Sequence, residues 1–414
     1  MTATTTTSRF ALREVMLQPT SLCNLDCAYC YLPDRKKNQR MVPAAAEAVA
    51  SMLESLPLKA PIQISWHCGE PLASGIDHFN SLLAPFARLE AEGKVVHAIQ
   101  TNGTLIDAEW IELFVRHAVN VSISLDGPAW ANRHRLDLQG KESYAKARRG
   151  IERMLAADVG FTGIAVFTPD TVSRVQEIYR FFSEDLPMHA LGINIEVKDG
   201  VNTFRPVIES IGRFWLDLYD AYRARPTVVI REFEAFARWY DQERTNGPLL
   251  DARDLLSRPH ERARVSLFPT VGWNGDVVFL APELLGMPAG RYESFALGNV
   301  CQEPMIDIIA RAKKADYVTD YLAGADDCEQ HCAHYAFCGG GFANTKFFEN
   351  GTTAGRETAF CRHSRKDLFD SLLHVMKQSP AASAASVLLP AWSRASPLTD
   401  SHQPTQPNTT GAIP

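Results

Sequence analysis

The chain has 414 residues, 46% of them hydrophobic, and a formal net charge of −6. That length suits a large catalytic domain with a smaller appendage, and the interspersed charges build no broad positive field, which excludes nucleic acid and anionic lipid as expected partners. No apolar run approaches the roughly 20 residues that span a bilayer and Met1 to Arg13 lacks the apolar stretch of a secretory signal, so a cytoplasmic location is expected, where the nine cysteines serve as metal ligands or core thiols rather than disulfides.

In chain order, residues 1–13 open on a Thr-rich run and are expected to be disordered. From Glu14 onward, short β-branched runs alternate with stretches of helical period, the pattern of repeated βα units around a parallel sheet. Six strands are predicted, at Glu14–Pro19, Ile62–Trp66, Val95–Thr101, Asn120–Leu125, Gly160–Phe167 and Gly192–Glu196, with helices such as Pro43–Leu56 and Ser143–Ala157 between them. Six units are too few to close an eight-stranded barrel, so residues 14–200 are predicted to form an α/β fold, a partial and open (β/α)6 barrel. In such sheets chemistry gathers at the C-terminal strand ends. Four unusual loops fall there, at Cys23 to Cys30, Gly69 to Pro71, Thr101 to Gly103 and Ser124 to Gly127.

Residues 201–261 read as a helical bridge, with helices near Glu209–Ala224 and Val229–Thr245 and no clear strand between them. Residues 262–366 are rich in Gly and Cys and poor in long helices, the composition of a small domain organised by metal rather than by an apolar core. A C-terminal helix over 367–378 precedes a tail, 379–414, whose Ser, Pro, Ala and Thr content predicts disorder.

Cys23, Cys27 and Cys30 sit in Cys-Asn-Leu-Asp-Cys-Ala-Tyr-Cys, directly after the first strand. A structural zinc site wants four closed positions and a ferredoxin-type cluster takes four thiolates. Three cysteines in one short loop therefore leave one metal vertex open, which is a place for substrate.

This spacing, with Tyr29 before the third cysteine, resembles the radical S-adenosylmethionine (SAM) superfamily over about Glu14 to Asp199. The resemblance implies a 4Fe–4S cluster on Cys23, Cys27 and Cys30 whose open iron chelates SAM. Cys-Gly-Glu-Pro at 68 to 71 resembles the family's Gly-Gly-Glu-Pro motif, which makes Glu70 the carboxylate for the SAM ammonium, beside Gly69 and Pro71. Cys68 stands where that motif has Gly and is read as a packing residue. Gln-Thr-Asn-Gly at 100 to 103 and Ser-Leu-Asp-Gly-Pro at 124 to 128 resemble family positions near SAM, adding Thr101, Asn102, Ser124 and Asp126 as contacts. Where relatives continue with His-Asp, this chain has Asn132 and Arg133.

Cys328, Cys332, Cys338 and Cys361 form a second set, near Gly339-Gly340-Gly341. Four thiolates close a shell, and spacing alone leaves zinc and 4Fe–4S equally open. The region resembles the SPASM extension of peptide-modifying radical SAM enzymes, which implies an auxiliary 4Fe–4S cluster. A full SPASM set has seven cysteines for two auxiliary clusters, but here Leu280 and Phe342 occupy two of the cysteine positions of the first. One auxiliary cluster is implied. Cys301 has no partner in this scheme and is read as a buried structural thiol.

Further stretches resemble the cyclophane-forming maturases of Gly-rich repeat peptide precursors: Leu17 to Thr20, Tyr31 to Pro33, Trp66 to Leu72, Trp273 to Asp276, Pro282 to Gly286 and Asn344 to Thr352. The resemblance implies an oxidoreductase acting on a ribosomally made precursor peptide, with electrons from an external flavodoxin- or ferredoxin-type donor. A 5′-deoxyadenosyl radical would take a hydrogen from a peptide Cβ, and the carbon radical would join an aromatic ring. The alternatives are an anaerobic sulfatase-maturating, formylglycine-forming enzyme, and a peptide epimerase or thioether-forming maturase. Glu196 and Asp199 are candidates for the base that accepts the ring proton, with neither singled out. Only about thirteen residues precede the first strand, so the precursor's leader is expected to be held by the core or by a separate protein.

Overall fold

The structure, a computed structural model, describes residues 10–202, 211–247, 249–257 and 265–394. A single large sheet carries the chain. Its strands are β1 Glu14–Leu17, β2 Ile62–Trp66, β3 Val95–Thr101, β4 Asn120–Ser124, β5 Thr162–Phe167, β6 Ala190–Ile195, β7 Val229–Ile230, β8 Thr270–Val271 and β9 Val277–Val278. They lie in the order β9-β8-β1-β2-β3-β4-β5-β6-β7 and the two ends do not meet, so the barrel stays open as expected from the count of units. Only the β8–β9 pair is antiparallel. In register, Leu17 faces Trp66, Trp66 faces Ile99, Thr101 faces Ile123 and Phe167 faces Ile195. The C-terminal ends are thereby level, and the loops leaving them converge.

The helices form because their apolar residues recur at helical spacing. Along α1 (Pro43–Ser55), Ala45, Ala46, Val49, Met52 and Leu53 are buried on one face, with Pro in the first turn. In α2 (Ala108–Arg116) the Asp107 side chain caps the Trp110 N–H at 3.1 Å. Trp66 anchors the core between sheet and helices, its ring centroid 4.9 Å from Phe79 and 6.1 Å from Phe86. Its indole N–H lies 3.2 Å from His97 Nδ1.

Three expectations change. The bridge contains a strand, since β7 pairs with β6 between α3 (Gly212–Ala224) and α4 (Arg231–Glu243); two residues, Val229 and Ile230, are too short a run to read as a strand by pattern. Residues 203–210, where the bridge's first helix was expected to begin, lie outside the described residues.

The Gly- and Cys-rich region does contain an apolar core, continuous with that of the sheet. Its strand β8 pairs with β1, and Phe295, Tyr317 and Phe347 belong to the same apolar core as the sheet, with Phe295 4.8 Å from Phe347 and 5.3 Å from Tyr317. It also holds α5 (Asp316–His331), 16 residues long, whose buried Tyr317, Val318, Tyr321 and Ala325 supply a helical stripe that the glycines and cysteines mask in composition.

The tail is ordered beyond 379. After α6 (Ala343–Asn350) and α7 (Asp367–Lys377), a short α8 (Ala384–Leu388) docks on α4, and Asp241 accepts from the Ala384 and Ala385 N–H groups at 2.7 and 3.0 Å. Leu388 and Leu389 are buried. A carboxylate offered by another element overrides the polar composition of the tail; residues 395–414 lie outside the described residues.

Candidate active site

The loop after β1 is clamped from two sides. On one, the Ser21 N–H donates to Gln39 O (2.9 Å) and the Cys23 N–H to Arg35 O (2.7 Å); on the other, the Asp26 N–H donates to Leu136 O (2.7 Å) and the Ala28 N–H to His134 O (3.0 Å). Asp26 also binds Arg35 and Lys36, at 2.6 and 2.7 Å. Cys23, Cys27 and Cys30 are therefore carried on a fixed loop, each partly exposed. Burial pushes all three thiols up, Cys27 to about 11, and Glu70 adds to the rise at Cys23. They hold protons at neutral pH, which a metal must displace on binding.

Gly69 and Glu70 hold the second strand end against that loop. Gly69 has φ +77°, and a Cβ there would stand 2.5 Å from Thr20 O and 2.8 Å from Leu22 O, so only glycine permits the approach. The Glu70 N–H donates to Leu22 O at 2.8 Å. Glu70 is buried, and its carboxylate accepts from Thr101 Oγ1 (2.7 Å) and the Leu72 N–H (3.1 Å) on Oε1 and from the Asn102 N–H (2.7 Å) on Oε2. Pro71 opens the 3₁₀ turn Pro71–Ser74 that Glu70 caps. Asn102 Nδ2 lies 2.8 Å from Asn24 Oδ1 and 3.9 Å from Cys23 Sγ. The second and third strand ends thus meet at Glu70, beside the first cysteine.

Asp126 organises the fourth end. It accepts from the Tyr29 hydroxyl at 2.5 Å and from the Val166 N–H at 3.0 Å. Arg135 Nη1 donates to the same Tyr29 hydroxyl at 2.9 Å and lies 3.9 Å from Asp126. Arg135 is 6% exposed, and among the described residues its guanidinium makes this one hydrogen bond, which leaves Nε and Nη2 for a further acceptor. No motif flagged Arg135; its signal in sequence is lost within the run Arg133-His134-Arg135. Ser124 faces its neighbour, accepting from Gln100 Nε2 at 2.8 Å. Asn132 clamps the turn, accepting from the Asp126 N–H and donating to Gly127 O at 2.7 Å, while Arg133 pairs outward with Asp170. Neither supplies an acid or base to the site.

The sixth strand end folds down onto Tyr31. A Cβ on Gly200 would stand 2.1 Å from Tyr31 O, which already accepts the Val201 N–H at 3.1 Å. Tyr31 Oη lies 3.1 Å from His67 Nε2 and 3.7 Å from Cys68 Sγ. Cys68 is fully buried against Met16 and has φ +70°, the conformation that favours glycine at this position. Three carboxyl groups gather here. Burial lifts Glu196 to about 8 against its hydrogen bond from Asn202, and lifts Glu283 to about 7. Burial also raises Asp199, and the neighbouring Glu283 raises it further. Asp199 accepts from Asn344 Nδ2 at 2.8 Å, while its Oδ1 is buried without a hydrogen bond. Glu283 lies within Pro282 to Gly286, a stretch the sequence marks without singling out its carboxylate.

The second cysteine set also comes together. Cys328 lies in the last turn of α5 and Cys332 caps it, its N–H donating to Cys328 O. Cys328 and Cys361 both stand 3.9 Å from Arg356 O, and Cys361 donates to Cys338, which lowers Cys338 and raises Cys361. Leu280 packs with Tyr321 and Ala343 in a small apolar cluster, and the Phe342 ring packs tilted against Phe360, centroids 4.6 Å apart. Cys301 departs from expectation: it is exposed, on the turn before Met305–Ala312. That turn faces solvent, so its thiol meets no core. Among the described residues no three His, Cys, Asp or Glu side chains form the site of a single metal ion. A cubane spreads its thiolates over different irons, and so asks for sulfurs set further apart than the roughly 2.3 Å bonds of one tetrahedral ion allow.

A sequence profile described as the Radical SAM superfamily matches residues 17–182. An uncharacterized protein of Synechocystis sp. is 32% identical over 88% of this chain and 92% of its own length. A cysteine-type anaerobic sulfatase-maturating enzyme of Clostridium perfringens is 24% identical over 79% of this chain and 88% of its own. Among solved structures, native anSMEcpe with bound AdoMet and Cp18Cys peptide superposes with a TM-score of 0.67 at 19% identity, covering 89% of this chain and 99% of its own. Streptococcus suis SuiB bound to precursor peptide SuiA does so at 0.60 and 16%, covering 86% and 76%. At such identities the two superpositions establish a shared fold.

Proposed function

The chain belongs to the radical SAM superfamily, and we propose from that premise that it modifies a ribosomally made precursor peptide by joining an aromatic ring to an aliphatic Cβ. The radical SAM fold binds a 4Fe–4S cluster and SAM, which together supply a 5′-deoxyadenosyl radical when reduced by an external flavodoxin- or ferredoxin-type donor. The observation that carries the reading is the clamped three-thiol loop, level with Glu70, Asp126 and Arg135 at the strand ends.

Cys23, Cys27 and Cys30 hold the cluster. Glu70, with one hydrogen bond on Oε2, would bind the SAM ammonium, and the remaining donors of Arg135 would bind its carboxylate. Tyr29 and Asp126 fix Arg135 in place, while Thr101 and Asn102 fix Glu70. Cys328, Cys332, Cys338 and Cys361 hold one auxiliary cluster. Apolar packing at Leu280 and the Phe342–Phe360 contact put no thiol at those two positions for a second. That feature supports peptide cross-linking over formylglycine formation, which the likeness to the sulfatase-maturating enzyme would otherwise favour. Asp199, held well above the usual carboxylate range by burial and by its neighbour Glu283, and Glu283, pushed up to about 7 by burial, form the acid–base pair that would remove the ring proton.

The test is co-expression with a short precursor peptide encoded beside the enzyme, read by tandem mass spectrometry. Loss of two hydrogens, with fragmentation blocked between an aromatic residue and a neighbour, is the expected product. An aldehyde that reacts with hydroxylamine would establish formylglycine formation instead, and an unchanged mass with altered stereochemistry would establish epimerisation.

A further inference from the structure

Lys346 lies in α6, 1% exposed, and its Nζ has no hydrogen-bond partner. A buried ammonium is strongly unfavourable unless negative charge lies close by. The Tyr321 ring, 5.2 Å from Nζ, gives a partial cation–π contact, and the Tyr321 hydroxyl is spent on Gly341 O at 2.8 Å. The charged or ionisable neighbours of Lys346 are Cys328, Cys361 and Cys338, then Asp327. Asp327 is already paired with Arg356 at 2.7 Å and His331 at 2.9 Å. With neutral thiols the lysine's one negative neighbour is Asp327, already shared with Arg356 and His331; with thiolates it has three more.

Resting on the reading of Cys328, Cys332, Cys338 and Cys361 as ligands of one iron–sulfur cluster, we propose that Lys346 is the internal counter-ion of that cluster and raises its reduction potential. Taking one electron from a reductant makes a four-thiolate cluster more negative by one charge. A fixed cation beside it stabilises that reduced form more than the oxidised one, and net charge and burial are levers that set such potentials. Tyr321, whose ring lies 5.2 Å from Lys346 Nζ, packs with Leu280 and Ala343, so the lysine also borders the apolar cluster at Leu280.

The experiment is a redox titration followed by electron paramagnetic resonance. It uses the full chain carrying Cys23→Ala, Cys27→Ala and Cys30→Ala, so that only the auxiliary cluster titrates. Lys346→Met is expected to keep about four irons and to shift the oxidised-to-reduced ratio at fixed potential toward oxidised by about tenfold, a midpoint about 59 mV more negative. Lys346→Arg, which keeps the charge, is expected to stay near the parent. An unchanged midpoint in Lys346→Met overturns the proposal. If that variant does not fold, Lys346→Gln makes the same comparison, and an unchanged midpoint there overturns it equally. Absence of iron from the four-cysteine site of the parent chain overturns the cluster reading and the proposal with it, whereas iron with an unshifted midpoint overturns the proposal alone.

Discussion

Gly69→Ala tests whether the contact between the second strand end and the cysteine loop holds the site together. The left-handed backbone at φ +77° costs an L-residue about 1 kcal/mol. The new methyl would meet two backbone oxygens at 2.5 and 2.8 Å, and backbone cannot swing aside as a side chain does, so overpacking adds about 2 kcal/mol. Together these give about 3 kcal/mol. At about 2.1 cal/mol/K of unfolding entropy per residue, a chain of 414 residues loses about 3 to 4 °C in Tm. The oxygens that must move belong to Thr20 and Leu22, next to Cys23, so iron loading of the first cluster is expected to fall as well. Differential scanning calorimetry and iron analysis of anaerobically purified protein measure both. A variant with parental Tm and parental iron content would refute the claim that this contact positions the loop.

Three further outcomes follow from the site. Arg135→Met removes a buried cation that faces Tyr29 and Asp126, a change worth about 3 to 5 kcal/mol in buried pairs; SAM affinity, read by calorimetry, is expected to drop at least tenfold, and an unchanged affinity would remove Arg135 from the site. Cross-linking is expected to rise with pH through about 7 as Glu283 loses its proton, with Glu283→Gln abolishing that rise. Stability moves the opposite way: Glu283 and Glu196 bind protons more tightly folded than unfolded, so from about pH 4.5 up to about 7 to 8 the unfolded chain holds fewer protons and the fold loses stability. Chemical denaturation at pH 5 and 8 reads the sign, and greater stability at pH 8 would contradict it.

Much of the fold was legible because its signals are local. Alternation along Val95–Thr101 and the apolar stripe of Pro43–Ser55 each report one element's burial, and Asn-Gly or Asp-Gly after a strand marks its end. The cysteine loop was legible for the same reason, since three ligands fall within eight residues. What escaped depends on distant partners. Val229–Ile230 is a strand only because β6 offers an edge, and α8 exists because Asp241 caps it from another helix. Arg135 lies in no marked stretch, and Glu283 and Lys346 lie in stretches that single out neither; each matters through what the fold packs against it. Cys301 was misplaced because a thiol's burial depends on the turn that presents it, and that turn faces solvent.

The central claim is that the Cys23–Cys27–Cys30 loop carries the cluster that cleaves SAM. Its most direct measurement is 5′-deoxyadenosine formation by the anaerobically reconstituted chain given SAM and a strong reductant. The parent is expected to release 5′-deoxyadenosine and to carry about eight irons, from two cubanes; replacing the three cysteines by Ala is expected to abolish the product and leave about four. A parent chain that makes no 5′-deoxyadenosine, or whose loop holds zinc, would contradict it.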